Sequence, residues 1–249
     1  PMVTPRFIPS CSDEALEGLG SMAADHQCRV QTHCSEGDWE HQFVIDRFGH
    51  SDTHMLREFG LLRPGSVLAH ATFLSGPDMQ TIAKEKAGIA HCPLSNTYFA
   101  NSVFPLRQAL DNGLRVGLGT DIAGGPSPSL FENCRSAISS SRMLEDGVDP
   151  TLPADQRGRA ESRIDFMEAY WLATAGGAQV LDIPVGRFEP GCRFDALLVD
   201  PTGPHSNIHC HTDFNHSAEA LFQKVFYHLT RANIRKVWVD GALVLSQNT

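Results

Sequence analysis

The sequence predicts an α/β fold built on a parallel sheet, followed by a small β module. Over residues 1–180, short apolar segments of strand length alternate with longer segments whose apolar residues recur with helical spacing. This alternation is typical of parallel strands joined by helices that lie outside the sheet. After about residue 180 the pattern changes to short β segments separated by turns. We therefore expect two parts, one spanning 1–180 and the other 181–249.

Five segments in the first part have the character of buried strands. The clearest lies at 116–121, because Val116, Leu118 and Thr120 alternate with small residues before the chain reaches the carboxylate of Asp121. Residues 2–8 are typical of a strand end that opens into a loop. Further strands are predicted at 29–33, 66–70 and 88–92.

The segments between these strands carry helical signals. Ser12 is a typical N-cap residue ahead of two acidic residues, and it predicts a helix that runs to Asp25. Gly113 closes the predicted helix at 105–112, because glycine is the usual residue beyond a helix C-terminus. Further helices are predicted at 38–59 with a break at 49–51, at 76–87, at 128–145 and at 163–175. In the second part, β segments are predicted at 186–200 and 237–245, with a helix at 218–229 between them.

Composition and charge argue against several classes of partner. The formal net charge of the 249 residues is −9, and no run of Lys or Arg is longer than two. Nucleic acid and anionic membrane surfaces are therefore not expected as partners. No apolar stretch has the length that a membrane span requires. The seven cysteines include no C-x-x-C pair, so we expect reduced thiols and a cytoplasmic location.

Three potential metal ligands lie at the ends of predicted strands: His33, His70 and Asp121. The carboxyl ends of parallel strands are where barrel enzymes place their chemistry. Imidazole and carboxylate ligands suit Zn²⁺ or Fe²⁺, and such metals activate water at neutral pH. Glu36 follows His33 and is a candidate for carrying a proton to a leaving group. The alternative is that each histidine is an ordinary hydrogen-bonded residue of the core.

Several motifs resemble those of the amidohydrolase superfamily, in its branch of metal-dependent aminohydrolases. These motifs are His33-Cys-Ser-Glu36, Ala69-His70, His91-Cys-Pro-Leu-Ser-Asn96 and Gly119-Thr-Asp121. More narrowly, the chain resembles the guanine deaminases from end to end. The narrower resemblance rests on Thr4-Pro-Arg-Phe7, Gln31-Thr-His-Cys-Ser-Glu36, Gly117-Leu-Gly-Thr-Asp-Ile-Ala-Gly-Gly125, Leu172-Ala-Thr-Ala-Gly-Gly177, Phe188-Glu-Pro-Gly191, Phe194-Asp-Ala196 and Asn233-Ile-Arg-Lys-Val-Trp-Val-Asp-Gly241.

This resemblance implies a (β/α)₈ TIM-type barrel with a small β-sandwich. Residues 1–180 would form the C-terminal part of the catalytic barrel, with its fourth to eighth strands. Residues 181–249 would form part of the sandwich, together with a helix. The resemblance also implies one metal per site, usually Zn²⁺ with Fe²⁺ as the alternative, bound by His33, His70 and Asp121.

The same resemblance implies a reaction, the hydrolytic deamination of guanine to xanthine and ammonia. Glu36 would be the proton shuttle, and Asp121 would accept a proton from the attacking water. Arg6 would hold the guanine carbonyl oxygen and Phe7 would stack on the purine, as charge-assisted hydrogen bonding and aromatic packing allow. Without the resemblance, Arg6 is better interpreted as a surface residue in a turn.

Two departures from the family pattern leave alternatives open. The family's first-strand His-x-His pair has no counterpart here, since His209-Cys-His211 lies in a polar loop far beyond the last barrel strand. A missing N-terminal segment of the same polypeptide, or a companion chain, is expected to complete the barrel; otherwise the chain is a catalytically incomplete fragment. Ala71 and Thr72 after His70 also differ from the family, so a pterin, a triazine or an adenosine derivative is an alternative substrate. The resemblance further implies a homodimer.

Overall fold

The computed structural model describes residues 1–203, 205–209 and 217–247. The chain divides into two compact units, Pro1–Ile183 and Pro184–Thr249. None of the helices in the described ranges combines the length and the apolar character needed to cross a membrane.

The first unit contains a five-stranded parallel sheet, which confirms the predicted α/β class. Its strands are β1 (Met2–Val3), β2 (Arg29–Cys34), β3 (Val67–His70), β4 (Gly88–His91) and β5 (Arg115–Leu118). They pair in chain order, β1-β2-β3-β4-β5, as successive strands of a barrel do. The edges of the sheet are β1 and β5, and within the described residues the sheet does not close. In the register of β2 and β3, Cys34 lies opposite His70.

Helices connect and follow these strands. They are α1 (Asp13–Asp25), α2 (Asp38–Phe48), α3 (Asp52–Glu58), α4 (Gly76–Lys84), α5 (Pro93–Tyr98), α6 (Leu106–Asp111), α7 (Leu130–Asp146), α8 (Ala154–Arg157), α9 (Phe166–Trp171) and α10 (Gly177–Leu181). A π-helical turn, Leu172–Gly176, joins α9 to α10. Ser12 caps α1 as predicted, because its side chain accepts a hydrogen bond from the amide of Ala15.

The core of the first unit lies between the sheet and these helices. Leu68 and Ile89 on the central strands are fully buried, as is Ile82 on α4. Gly117 of β5 lets the chain approach closely, since a Cβ atom at this position would lie 2.7 Å from the Cα atom of Gly177 in α10. The sheet and the last helix of the unit are therefore packed backbone against backbone at this point.

One predicted boundary was wrong, and one predicted strand end has a second role. Strand β5 ends at Leu118, so Asp121 lies in the loop three residues beyond the strand and not at its end. Pro93, predicted only to end a strand, also begins helix α5. The reason is that proline suits the first turn of a helix, where its missing N–H would have no intrahelical partner.

The second unit, Pro184–Thr249, contains a three-stranded antiparallel sheet in the order β6-β7-β8. The strands are β6 (Ala196–Val199), β7 (Ile234–Val239) and β8 (Ala242–Ser246), and helix α11 spans Ala218–His228. Asp240 and Gly241 both have positive φ, as the two central residues of a tight hairpin turn require.

The β segment predicted at 186–200 is shorter than expected. Residues 186–195 are all described and contain no strand, so only β6 forms there. Of the predicted polar-loop pair, His209 is described, whereas His211 lies outside the described residues.

Candidate metal site

Three side chains meet at the carboxyl end of β2 and β3. One possible ligand atom from each of His33, Glu36 and His70 lies within 4.8 Å of the others. The strand register produces this meeting, because β2 and β3 pair in parallel with His33 beside Ala69 and Cys34 beside His70. The two imidazole rings stack with their centroids 5.3 Å apart.

Each imidazole is held at Nδ1 by an oxygen acceptor. Nδ1 of His33 lies 2.7 Å from the backbone oxygen of Arg6, and Nδ1 of His70 lies 2.9 Å from Oδ1 of Asn96. A carbonyl oxygen only accepts, so Nδ1 donates in both rings and each Nε2 keeps its lone pair. This arrangement is the one that orients metal-binding histidines in proteins.

His70 also provides the observation that favours a metal. Its side chain is fully buried, yet Nε2 has no hydrogen-bond partner in the described part of the chain. A buried polar atom without a partner is costly. Oε2 of Glu36 lies 3.8 Å from Nε2 of His70. Two imidazole nitrogens and a carboxylate are a donor set that suits Zn²⁺ or Fe²⁺, so the residues present fit a metal.

Glu36 is fixed from two sides. Its Oε1 accepts a hydrogen bond from Nδ2 of Asn101 at 3.3 Å, and its backbone amide donates to Oε2 of Glu40 at 2.8 Å. Oε2 of Glu36 is thereby left facing His70. The carboxylate is half-buried.

Asp121 is held separately from this group of three. Its Oδ2 accepts a hydrogen bond from Oγ of Ser95 at 2.6 Å, and Ser95 is fully buried on α5. Asp121 is not part of the cluster formed by His33, Glu36 and His70. That it completes the metal ligands stays a prediction.

Three residues in or beside the candidate site have left-handed backbone conformations. Ser35, His70 and Asp121 have φ angles of +47°, +68° and +53°. Such angles are uncommon for residues other than glycine, and they concentrate at functional sites. Each follows or ends a strand of the sheet, so the backbone turns sharply where it presents the candidate ligands.

The predicted substrate residues lie beside His33. The ring of Phe7 lies 6.2 Å from the ring of His33 and 6.1 Å from that of Trp39, and the guanidinium of Arg6 lies 4.9 Å from the centroid of Phe7. Trp39 is 65% exposed and was not predicted from the sequence. The roles of Arg6 and Phe7 in binding a purine stay predictions.

A buried group of acids behind Glu36 was not predicted from the sequence either. Burial raises the pKa of Glu40 to about 8. Burial also raises the pKa of Asp52, although hydrogen bonds from Ser35 and His41 oppose the shift. Glu40 is the third residue of α2, the position from which a glutamate reaches back in a capping box, and that spacing was the available signal. Nothing in the sequence places Asp52 beside it.

Comparison with known proteins agrees with this architecture. The model of the amidohydrolase family matches residues 1–244. A probable guanine deaminase of Schizosaccharomyces pombe is 35% identical over 250 residues, covering 98% of this chain and 45% of that protein. A guanine deaminase of Dictyostelium discoideum is 33% identical over 247 residues, covering 97% of this chain and 52% of that protein.

A solved structure shows the same fold. The guanine deaminase of C. acetobutylicum, with guanine bound in its active site, superposes with a TM-score of 0.84 at 29% sequence identity. That alignment covers 98% of this chain and 55% of the other chain. The chain thus spans about half the length of the relatives it matches. With the family model matched over nearly its whole length, the chain belongs to the amidohydrolase family.

Proposed function

We propose that the protein containing this chain is a metal-dependent guanine deaminase, which hydrolyses guanine to xanthine and ammonia. The main support is the pair of histidines, His33 and His70, beside the carboxylate of Glu36. Each imidazole is hydrogen-bonded through Nδ1, which leaves Nε2 available to bind a metal. The similarity to guanine deaminases over nearly the whole chain supports guanine as the substrate.

In this proposal the metal is zinc, with Fe²⁺ as the alternative, and one ion occupies each site. His33 and His70 bind it through Nε2, and Asp121 completes the ligands that this chain supplies. When bound, the metal lowers the pKa of water toward about 7, which makes a nucleophile available at neutral pH. Ser95 orients Asp121 through the hydrogen bond to its Oδ2, leaving the other carboxylate oxygen for the proton of the attacking water.

Glu36 carries protons to the substrate. Asn101 holds one oxygen of the Glu36 carboxyl group, so the other can take up a proton from the attacking water and donate it to a ring nitrogen. The second proton of that water, accepted by Asp121, passes to Glu36, which donates it to the departing amine. Water adds to the ring carbon that bears the exocyclic amine, the bond to that amine breaks, and ammonia leaves. Arg6 donates to the guanine carbonyl oxygen, and Phe7 packs against the purine face.

We also propose how the chain contributes to the complete enzyme. The first unit supplies the fourth to eighth strands of a (β/α)₈ barrel, and the second supplies part of a small β-sandwich with a helix. An N-terminal segment of the same polypeptide, or a companion chain, pairs with the edge strands β1 and β5 and adds the remaining metal ligands. The assembled protein is a cytoplasmic homodimer.

The test is an assay of the full encoded polypeptide, with the 249-residue chain alone alongside it. We expect release of one ammonia and one xanthine per guanine, loss of activity with a chelator, and recovery when zinc is restored. Assays with guanine, adenosine, a pterin and a triazine show which heterocyclic ring the enzyme deaminates. Turnover of another ring but not of guanine, or turnover unaffected by chelation, would contradict the proposal. Sedimentation of the same preparation tests the dimer.

A further inference from the structure

The turn that carries Glu36 is held by carboxylates from two different helices. The amide of Glu36 donates to Oε2 of Glu40 on α2 at 2.8 Å. The preceding amide, that of Ser35, donates to Oδ1 of Asp52 on α3 at 3.4 Å. Two consecutive backbone amides of one short turn are thus bonded by acids that approach it from α2 and α3.

Both acids are buried, which an ordinary helix cap does not require. Glu40 is 4% exposed and Asp52 is 1% exposed. Nδ1 of His41 lies 3.1 Å from Oδ2 of Asp52. The second oxygen of Glu40, Oε1, has no hydrogen-bond partner in the ranges the structure describes. Burying such a group is unfavourable, so its retention calls for a reason beyond helix capping.

The geometry of Glu40 differs from a capping box in a second respect. In a capping box the glutamate at N3 bonds the amide of the N-cap residue. The N-cap residue of α2 is Gly37, yet Glu40 bonds the amide one position earlier, at Glu36. The contact therefore acts on the turn and on the residue whose carboxylate faces His70, not on the first turn of the helix.

We infer that Glu40 is a positioning residue, which together with Asp52 holds the Ser35–Glu36 turn so that the Glu36 carboxylate faces Nε2 of His70. This inference rests on the proposed function, in which Glu36 moves protons and His70 binds the metal. Asn101 acts from the opposite side, on the carboxylate itself. The backbone clamp and the side-chain contact together orient Oε2 of Glu36 toward His70.

Three substitutions separate positioning from simple stability. Glu40→Gln keeps an oxygen acceptor at the same distance from the Glu36 amide. Glu40→Met fills the same space with no acceptor, and Glu40→Asp keeps a carboxylate but withdraws it by one methylene. Asp38→Asn, an exposed acid in the same first turn, is the matched control for lost charge near the helix N-terminus.

Two readouts need no turnover. Hydrogen–deuterium exchange of the peptide containing residue 36 should be faster in Glu40→Met and Glu40→Asp and unchanged in Glu40→Gln. Affinity for Co²⁺, followed by its visible absorption, should stay near wild type in all three variants, because Glu36 is not among the proposed metal ligands. In the full encoded polypeptide, kcat for guanine should fall in Glu40→Met and Glu40→Asp while KM changes little.

The outcomes are distinguishable. If exchange and Co²⁺ affinity follow this pattern but guanine is not turned over, the proposed function fails and the clamp stands. If Glu40→Met does not fold, Glu40→Asp alone decides the question. Wild-type exchange in Glu40→Asp, equally fast exchange in Glu40→Gln and Glu40→Met, or a loss of Co²⁺ affinity that accompanies the loss of kcat would overturn the inference.

Discussion

The imidazole rings of His33 and His70 stack at 5.3 Å with their planes 17° from parallel, and each ring is bonded through Nδ1 to an oxygen acceptor. An ordinary core histidine would use both ring nitrogens in hydrogen bonds. His70 instead leaves Nε2 buried and without a partner among the described residues. This unpartnered nitrogen is what supports the proposal that the pair binds a metal.

Replacing Asn96 by alanine should weaken metal binding without touching a ligand. Asn96 holds Nδ1 of His70, and loss of such an outer partner typically lowers metal affinity about 10- to 100-fold. Zn²⁺ affinity measured by competition with a chromophoric chelator checks this. Asn112→Ala is the control, because the side-chain amide of Asn112 donates to a local backbone oxygen, that of Gln108. Equal affinities in the two variants would argue against the role of Asn96.

Replacing Arg6 by leucine should impair guanine turnover. A hydrogen bond from a charged donor contributes about 1.5–3 kcal/mol, so kcat/KM for guanine should fall by roughly 10- to 100-fold. Arg57→Leu, which removes a surface arginine paired with Glu58, is the control and should leave kcat/KM near wild type. A loss of stability equal to the loss of activity in Arg6→Leu would mean that Arg6 is structural. Steady-state kinetics and thermal unfolding of both variants provide the comparison.

Two glycines of α1 should respond in opposite directions to alanine. Gly18 is exposed, and a methyl group added there would have no atom within 4 Å, so Gly18→Ala should stabilise the protein by about 0.5–1 kcal/mol. Gly20 is buried, and a methyl group there would overlap the backbone oxygen of Phe59. Gly20→Ala should therefore destabilise by about 1–3 kcal/mol. Urea unfolding measures both, and a shared sign would refute the described packing of α1.

Cysteine alkylation should distinguish two groups of thiols. Cys34, Cys92 and Cys134 are buried, and burial raises the pKa of Cys92 and of Cys134 to about 12 and that of Cys34 well above its usual value. Cys11 and Cys28 are partly exposed. Iodoacetamide added to the native protein at a pH near 8 should therefore label Cys11 and Cys28 before the three buried cysteines, because the thiolate is the reactive form.

Peptide mass spectrometry after timed alkylation identifies the labelled sites. Unfolding in guanidinium is the control and should make all of these thiols reactive. Early labelling of Cys92 in the native protein would contradict its burial.

The stability of the second unit should depend on pH through Asp200. Hydrogen bonds from Thr202 and Arg235 lower the pKa of Asp200 from 3.8 to about 2. A carboxyl whose pKa is depressed on folding stabilises the folded state above its unfolded pKa, and that contribution is lost as pH falls from about 3.8 towards 2. The stability difference between wild type and Asp200→Asn should therefore be constant near neutrality and shrink in acid.

Hydrogen exchange of amides in β6 and β7 reports this difference locally. Asp240→Asn serves as the control, since asparagine also tolerates the positive φ of that turn position. If the stability difference between wild type and Asp200→Asn did not change between pH 5 and pH 2, the lowered pKa of Asp200 would be contradicted.

Patterns along the chain were sufficient to predict the class of fold, the family and the candidate chemistry. Alternation of apolar strands with helical segments predicts a parallel sheet, because each pattern depends on residues that are close in the chain. His33, Glu36 and His70 were predicted as site residues from their types and positions, and the structure brings these three together.

How the site is held, in contrast, depends on tertiary contacts. The acceptors of the two histidines, Arg6 and Asn96, lie 27 and 26 residues away in the chain, and Asn101 lies 65 residues from Glu36. Strand register and helix packing bring such residues together, and no local pattern records them.

The end of β5 and the burial of Glu40 and Asp52 also depend on tertiary contacts. The strand stops at Leu118 where its ladder with β4 ends, which leaves Asp121 in a loop bonded to Ser95. Asp52 reaches the Ser35 amide because α2 and α3 pack behind the turn. Where a charged group lies, and what satisfies it, depends on contacts between distant segments, because burial is a property of the folded chain.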